Sequence, residues 1–169
     1  MQELFSDRLR FDRFTESHLQ NFFSLENDPA VMSFYRRKYS ATVEDSLPFF
    51  RLYMDYMARN PNYGGYSVFD RVSGKFIGIA VIIHIELKEE NKDIEIGYRL
   101  HKKFWGHGYA TEMARTMLNY GFYTLGHTEL YGTTNPEHQV SQHILKKIGM
   151  KEIGPATHYA GSTLFKISV

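Results

Sequence analysis

Eight consecutive apolar or small residues, FIGIAVII at Phe76 to Ile83, leave few folds open to this chain. The run falls well short of the roughly 18 to 20 residues that a membrane span requires. It shows no alternation, so it reads as a strand buried on both faces, the second strand of a hairpin. Tyr66 to Phe69 forms the first strand of that hairpin and Val72-Ser73-Gly74-Lys75 the turn.

The segments around this strand fill in a central sheet with helices. Asp93 to Leu100 (DIEIGYRL) alternates strictly, with Ile94, Ile96, Tyr98 and Leu100 on one face and Asp93, Glu95, Gly97 and Arg99 on the other. Arg8 to Phe14 reads as a first strand, and Thr15 can cap a helix that Asp28-Pro29 breaks after about Glu26. Leu47, Phe50, Met54 and Met57 mark a second helix. Thr42 with Asp45 suits a capping box there, but a proline confined to the first turn would put Pro48 behind a cap at Ser46, and the start stays open between the two. Ala110, Met113, Ala114, Met117, Leu118 and Gly121 trace one helical face. A short strand follows at Glu129 to Thr134, then a helix marked by Val140, Ile144 and Ile148 and stopped by Gly149. Met150 to Ile153 and Leu164 to Val169 read as two final strands. The order predicts an α/β (α+β) domain around one mixed sheet.

At 169 residues without a repeat, linker or low-complexity tract, residues 1–169 are expected to form a single domain. Net charge is +1, which gives no basis for general nucleic-acid steering. The chain has no cysteine, so disulfides and thiolate chemistry are excluded. The opening MQELFSDRLRF has no apolar stretch of signal-peptide length, and a cytoplasmic location is expected.

WGHGYATEM, Trp105 to Met113, places Gly106 and Gly108 between the end of a strand and the start of a helix. Free backbone N–H groups at a helix N-terminus favour an anion such as a phosphate, and glycine puts no Cβ between donor and ligand. Lys102 and Lys103 add positive charge. Neither dinucleotide nor P-loop glycine spacing is met, and by themselves two glycines serve an ordinary tight turn equally well.

The run IEIGYRLHKKFWGHGYATEM resembles the acyl-CoA loop of the GNAT superfamily of N-acetyltransferases, in the version typical of the RimJ/RimL-like (ribosomal-protein alanine N-acetyltransferase) branch. SDRLRFDRF, DPAVMSF and SQHILKKIGM extend the resemblance over nearly the whole chain. It implies a GNAT-like fold, a mixed central sheet with splayed parallel strands flanked by helices. Acetyl-CoA, the acetyl donor, would enter between Asp93–Leu100 and Glu129–Thr134. It also implies a cofactor-binding set: Leu100 at the strand end, then Lys103, Phe104, Trp105, Gly106, His107, Gly108, Tyr109 and Ala110 around the pyrophosphate. Lys103 stands where Gln or Arg is usual, which keeps a cation but loses a planar donor.

Acetyl transfer to an amine requires the neutral amine, whereas lysine-type amines titrate near 10.4 and α-amines near about 8, so a base is needed. Glu95 matches the acidic strand position of the family, with Gly97 beside it for close approach; the alternative is a solvated carboxylate balanced by Arg99. The resemblance gives a backbone N–H near Tyr98 the role of stabilising charge on the acetyl oxygen. Leu145 stands where many relatives carry a proton-donating tyrosine. Ser141 matches the branch serine and is either a donor through water, a CoA contact or a plain helix serine. His138 replaces a common asparagine; it either contacts the pantetheine arm, donates a proton or occupies an exposed first turn, and Asn135 is placed to take over the amide contact. His138 and His143 lack metal-pair spacing, and no metal is expected. His84, at the end of the buried strand, reads as a core or edge histidine, with a place facing the acceptor pocket as the alternative, and Trp105 and Phe104 read as loop packing rather than stacking on adenine.

FYRRKY, Phe34 to Tyr39, gathers Arg36, Arg37 and Lys38 where the family borders its acceptor groove; it reads either as a receiver of an acidic peptide or RNA-associated ribosomal protein or as a solvated helix end. The resemblance therefore predicts an acetyl-CoA-dependent N-acetyltransferase of a primary amine, either a protein N-terminus or a small amine such as a polyamine, amino acid or antibiotic. A non-catalytic acyl-CoA-binding module is the alternative suggested by Leu145 and His138. An RNA- or ribosome-binding adaptor using the three cations is the weakest reading. No membrane partner is expected, and the protein is expected to be a monomer or a homodimer through the late strands.

Overall fold

The computed structural model describes residues 4–35 and 37–169; Arg36, one of the three cations just named, lies outside the described residues. Two strands, Leu4–Phe5 (β1) and Leu9–Arg13 (β2), lead through a 3-10 turn at Glu16–His18 into helix Leu19–Glu26 (α1). Asp28 ends α1 and caps the short helix Pro29–Met32 (α2), its carboxylate accepting the N–H groups of Ala30 at 2.9 Å and Val31 at 3.4 Å.

Helix Val43–Arg59 (α3) starts behind Thr42, which settles the question that Pro48 raised. Thr42 N–H donates to Asp45 Oδ2 at 2.9 Å and Asp45 N–H donates to Thr42 Oγ1 at 3.3 Å. This reciprocal box satisfies two otherwise unpaired donors, so the helix begins before Pro48 and carries the proline inside it. Thr42→Ala is expected to cost about 1 kcal/mol, read as a lower urea midpoint at unchanged slope.

The hairpin forms as the sequence predicts, from Gly64–Asp70 (β3) and Phe76–His84 (β4). Its turn is tied by Asp70, which accepts both the N–H and the hydroxyl of Ser73 at 2.7 Å. Ile94–Leu100 (β5), Tyr109–Asn119 (α4), Glu129–Thr134 (β6), Gln139–Lys147 (α5), Lys151–Pro155 (β7) and Thr163–Ser168 (β8) complete the order. Among the described residues the sheet has eight strands in the order β1-β2-β3-β4-β5-β6-β8-β7, antiparallel except between β5 and β6.

β4 is buried on both faces. Ala80 and Ile82 pack with Ile94, Ile96, Met113, Met117 and Leu145 under α4 and α5. Ile79 and Ile83 pack on the other face with Phe22 of α1 and Phe50 of α3, whose rings lie 5.4 Å apart. One expectation needs correcting: α5 does not turn Val140 inward, since that side chain is 66% exposed. Its buried residues are Ser141 and Leu145, followed by Ile148, a stripe at steps of four and three that begins one residue later.

Candidate active site

β5 and β6 run parallel, yet their pairing is confined to Glu95 opposite Tyr131. Just before β5, Ile85 N–H donates to Asp93 O at 3.0 Å; just after it, His101 N–H donates to Ile77 O at 3.1 Å. The β4–β5 register between these points is unbroken. Alternate residues of an antiparallel strand turn their N–H groups to the same neighbour. The odd-numbered residues of β5 therefore bond β4, and the N–H groups of Ile94, Ile96, Tyr98 and Leu100 point towards β6. Beyond Glu95 that ladder has ended, so the N–H of Tyr98 is aimed into the gap where the strands part.

Side chains alternate as well. Glu95 lies on the α1–α3 face and is 8% exposed. Among the described residues its Oε2 has no hydrogen-bond partner. Burial pushes its carboxyl up to about 7, while hydrogen bonding from Thr133, across on β6, pulls the other way. A solvated carboxylate balanced by Arg99 is not what forms, because Arg99 turns instead to Glu26 of α1, with Nη2 2.5 Å from Oε1. Gly97 keeps side-chain bulk away from Glu95; a Cβ there would strike Val81 Cγ2 at 2.9 Å.

On the opposite face Tyr98 meets Ser141. The phenol O–H donates to Ser141 O at 3.4 Å and lies 3.3 Å from its Oγ, and burial raises the phenol above its ordinary range. Leu145 is 2% exposed and fills the core. His138 is not an exposed first-turn residue: Phe34 stacks on its ring with centroids 3.9 Å apart and planes 3° from parallel. Asn135 Nδ2 donates to Phe34 O at 3.4 Å. Both residues thus hold the segment after α2 against the start of α5.

The glycine loop follows β5 through a 3-10 turn at Lys102–Phe104. Trp105 Nε1 donates to Leu100 O at 3.0 Å, and Phe104 meets Tyr109 edge-on with ring centroids 6.0 Å apart, so both aromatics pack the loop. Gly106 and Gly108 have φ of +78° and +77°, a left-handed backbone that other residues adopt only at a cost. Gly108 caps α4 without a side-chain bond, leaving the N–H groups of Tyr109, Ala110 and Thr111 without carbonyl partners inside the helix. Outside the loop, Arg8 Nη1 donates to His107 O at 3.0 Å, and Arg8 pairs with Glu112 at 2.7 Å. Burial alone would raise the Glu112 carboxyl, but hydrogen bonds from Ser6 and Arg8 bring it below its usual value. Lys103 lies with Nζ 5.1 Å from the centre of the Phe104 ring.

Several neighbours of Glu95 carry no sequence signal. Thr133 Oγ1 lies 3.5 Å from His158 Nε2. Burial, and then the charge of Glu95, raise the Tyr159 phenol, and Tyr53 lies in the fields of both Arg99 and Glu95. His84 ends the central strand β4 opposite Ile94, half-buried, with Nδ1 2.7 Å from Tyr56 OH. Among the described residues no helix is long and apolar enough to cross a membrane.

YkkB of Bacillus subtilis, an uncharacterized protein, is 30% identical over 152 residues, covering 88% of this chain and 84% of its own. The fold matches spermidine N-acetyltransferase of Vibrio cholerae in complex with CoA and spermine, at TM-score 0.78 and 18% identity, covering 96% of each chain. It also matches RimL, a ribosomal L7/L12 α-N-protein acetyltransferase in complex with CoA, at TM-score 0.80 and 15% identity, covering 99% of this chain and 98% of that one. The model of the acetyltransferase (GNAT) domain matches residues 8–151, and the chain belongs to the GNAT family of acetyltransferases.

Proposed function

We propose that this acetyltransferase moves an acetyl group from acetyl-CoA to a primary amine in the gap between β5 and β6, with Glu95 as the base. The observation that carries this reading is the end of the parallel ladder beside a buried carboxyl held at about 7. The residues present fit the donor. A Cβ built on Gly106 would meet nothing within 4 Å, and the first N–H groups of α4 suit a pyrophosphate. Lys103, Phe104, Trp105, His107, Tyr109 and Ala110 complete that loop, with Leu100 at its entrance, and Asn135 and His138 border the pantetheine path. Acetyl-CoA supplies the thioester-activated acetyl group.

The two faces of β5 divide the chemistry. Glu95 takes a proton from the attacking amine on the α1–α3 side and returns it to solvent. The N–H of Tyr98 faces the point where negative charge gathers on the acetyl oxygen. Ser141, joined to the Tyr98 phenol, relays a proton from water to the departing sulfur on the α5 side, taking one from the water as it gives its own. The new C–N bond replaces the C–S bond, and the products are an N-acetyl amine and CoA thiol. The acceptor is a protein N-terminus or a small amine. The test is thiol release from acetyl-CoA over a panel of amines, with acetylated product measured by mass spectrometry. Release that requires amine and matches product supports the reading; CoA binding with no amine-dependent release would make the protein a binding module instead.

A further inference from the structure

The same face of β5 that carries Glu95 carries a second charged group, and its charge is not balanced. Glu26 is 0% exposed and is shared by two guanidinium groups, Arg99 on Oε1 at 2.5 Å and Arg37 on Oε2. Two cations against one carboxylate leave one positive charge over. The Arg99 side chain is nine-tenths buried, yet among the described residues its Nε has no hydrogen-bond partner, and its Nη1 reaches the Met32 sulfur at 3.1 Å, a weak acceptor. Burial, and then the field of Arg99, pull the Arg37 guanidinium down to about 10, in keeping with a surplus of positive charge there.

This surplus faces the side from which the amine would approach. Arg99 and Glu95 share one face of β5, with Gly97 between them and their Cα atoms separated by about 13 Å at the rise of a strand. The Tyr35 ring, 45% exposed, lies 5.0 Å from the Arg99 guanidinium, and its hydroxyl is in the field of both Arg99 and Glu95. Phe22 lies 5.5 Å away on the core side. In such a dry setting a guanidinium that shares its one carboxylate with a second cation attracts a further carboxylate and repels a further cation.

We propose that Arg99 is the anion-receiving end of the acceptor site, so that the amine acetylated here belongs to a molecule that also bears a carboxylate. This rests on the reading of Glu95 as the base at the other end. A free amino acid presents its α-carboxylate, and an acidic peptide presents a side-chain carboxylate near its N-terminal amine. Polyamines, whose second ammonium would lie against Arg99, are disfavoured.

The experiment is calorimetric titration of the CoA-loaded protein with three sets of ligands: free amino acids, tetrapeptides whose one carboxylate is the side chain of the second residue, and spermidine. Each carboxylate is paired with its carboxamide. At least one carboxylate is expected to bind about tenfold or more tightly than its carboxamide. Arg99→Gln should bring that ratio to about one. Arg99→Gln leaves Glu26 its ion pair with Arg37; should the variant nonetheless fail to fold, Arg99→Lys keeps a cation against Glu26 but removes the paired N–H donors, and the ratio should fall there as well. The set that shows the preference identifies the source. Spermidine binding more tightly than every carboxylate, no carboxylate binding at all, or a preference that survives loss of Arg99 would each overturn the proposal. CoA loading is measured beforehand, so a failure of the donor site is seen separately.

Discussion

Glu95→Gln is expected to lower kcat/KM for acetyl transfer by about 10²- to 10⁴-fold, the usual worth of a positioned base, while making the folded protein more stable above neutral pH. The two effects have one cause. Burial holds the Glu95 carboxyl at about 7 in the folded chain against an ordinary 4.5. Between those values the native state binds a proton that the unfolded chain has released. The stability from this proton is fully present below about pH 4.5 and is lost as pH rises through 7, by on the order of 3 kcal/mol. Glutamine has no proton to lose, so the variant should show a flatter denaturation midpoint across that range. In the wild type kcat/KM should climb through an apparent pKa near 7. In the variant only the acceptor amine's own titration should remain, near about 8 for an α-amine. A variant with unchanged turnover from pH 6 to 9 would remove Glu95 from the chemistry.

Gly108→Glu is expected to abolish measurable acetyl-CoA binding, at least about 100-fold, because its carboxylate would occupy the unsatisfied N–H groups of α4 and face the donor's phosphates. The φ of +77° adds a folding cost of about 1 to 2 kcal/mol for any residue with a Cβ. Gly108→Ala carries that cost without the charge, and the space tolerates it, since the nearest atom to a Cβ is Arg8 Nη2 at 3.5 Å. Calorimetry on both variants separates the two terms: alanine should lose little affinity and glutamate nearly all of it. Equal losses would mean that the glycine serves the turn alone.

The strands were legible where pattern alone decides. FIGIAVII could be satisfied only by cover on both faces, and the alternation of DIEIGYRL placed Glu95 and Tyr98 on opposite sides of β5 before any contact was known. The role proposed for each rests on the resemblance and not on spacing. α5 misled because Val140 is apolar yet exposed, while the small polar Ser141 is buried beneath Tyr98. Pro48 left the start of α3 open between Thr42 and Ser46, and the box at Thr42 decides it by holding a helix start that a proline in the sixth position would otherwise weaken. The Phe34–His138 stack and the Arg99–Glu26 ion pair join residues far apart in the chain, for which no local period exists.

The most direct measurement is the backbone amide spectrum of the isotope-labelled protein during titration with acetyl-CoA. The account predicts that the largest shifts fall on Tyr98 and on residues 103–110, where the strands part and α4 begins. Shifts confined to Arg115, Asn119, Tyr123 and Thr124, the part of the 700 Å³ cleft along α4 that lies beyond Gly108, with Tyr98 and residues 103–107 unmoved, would contradict it.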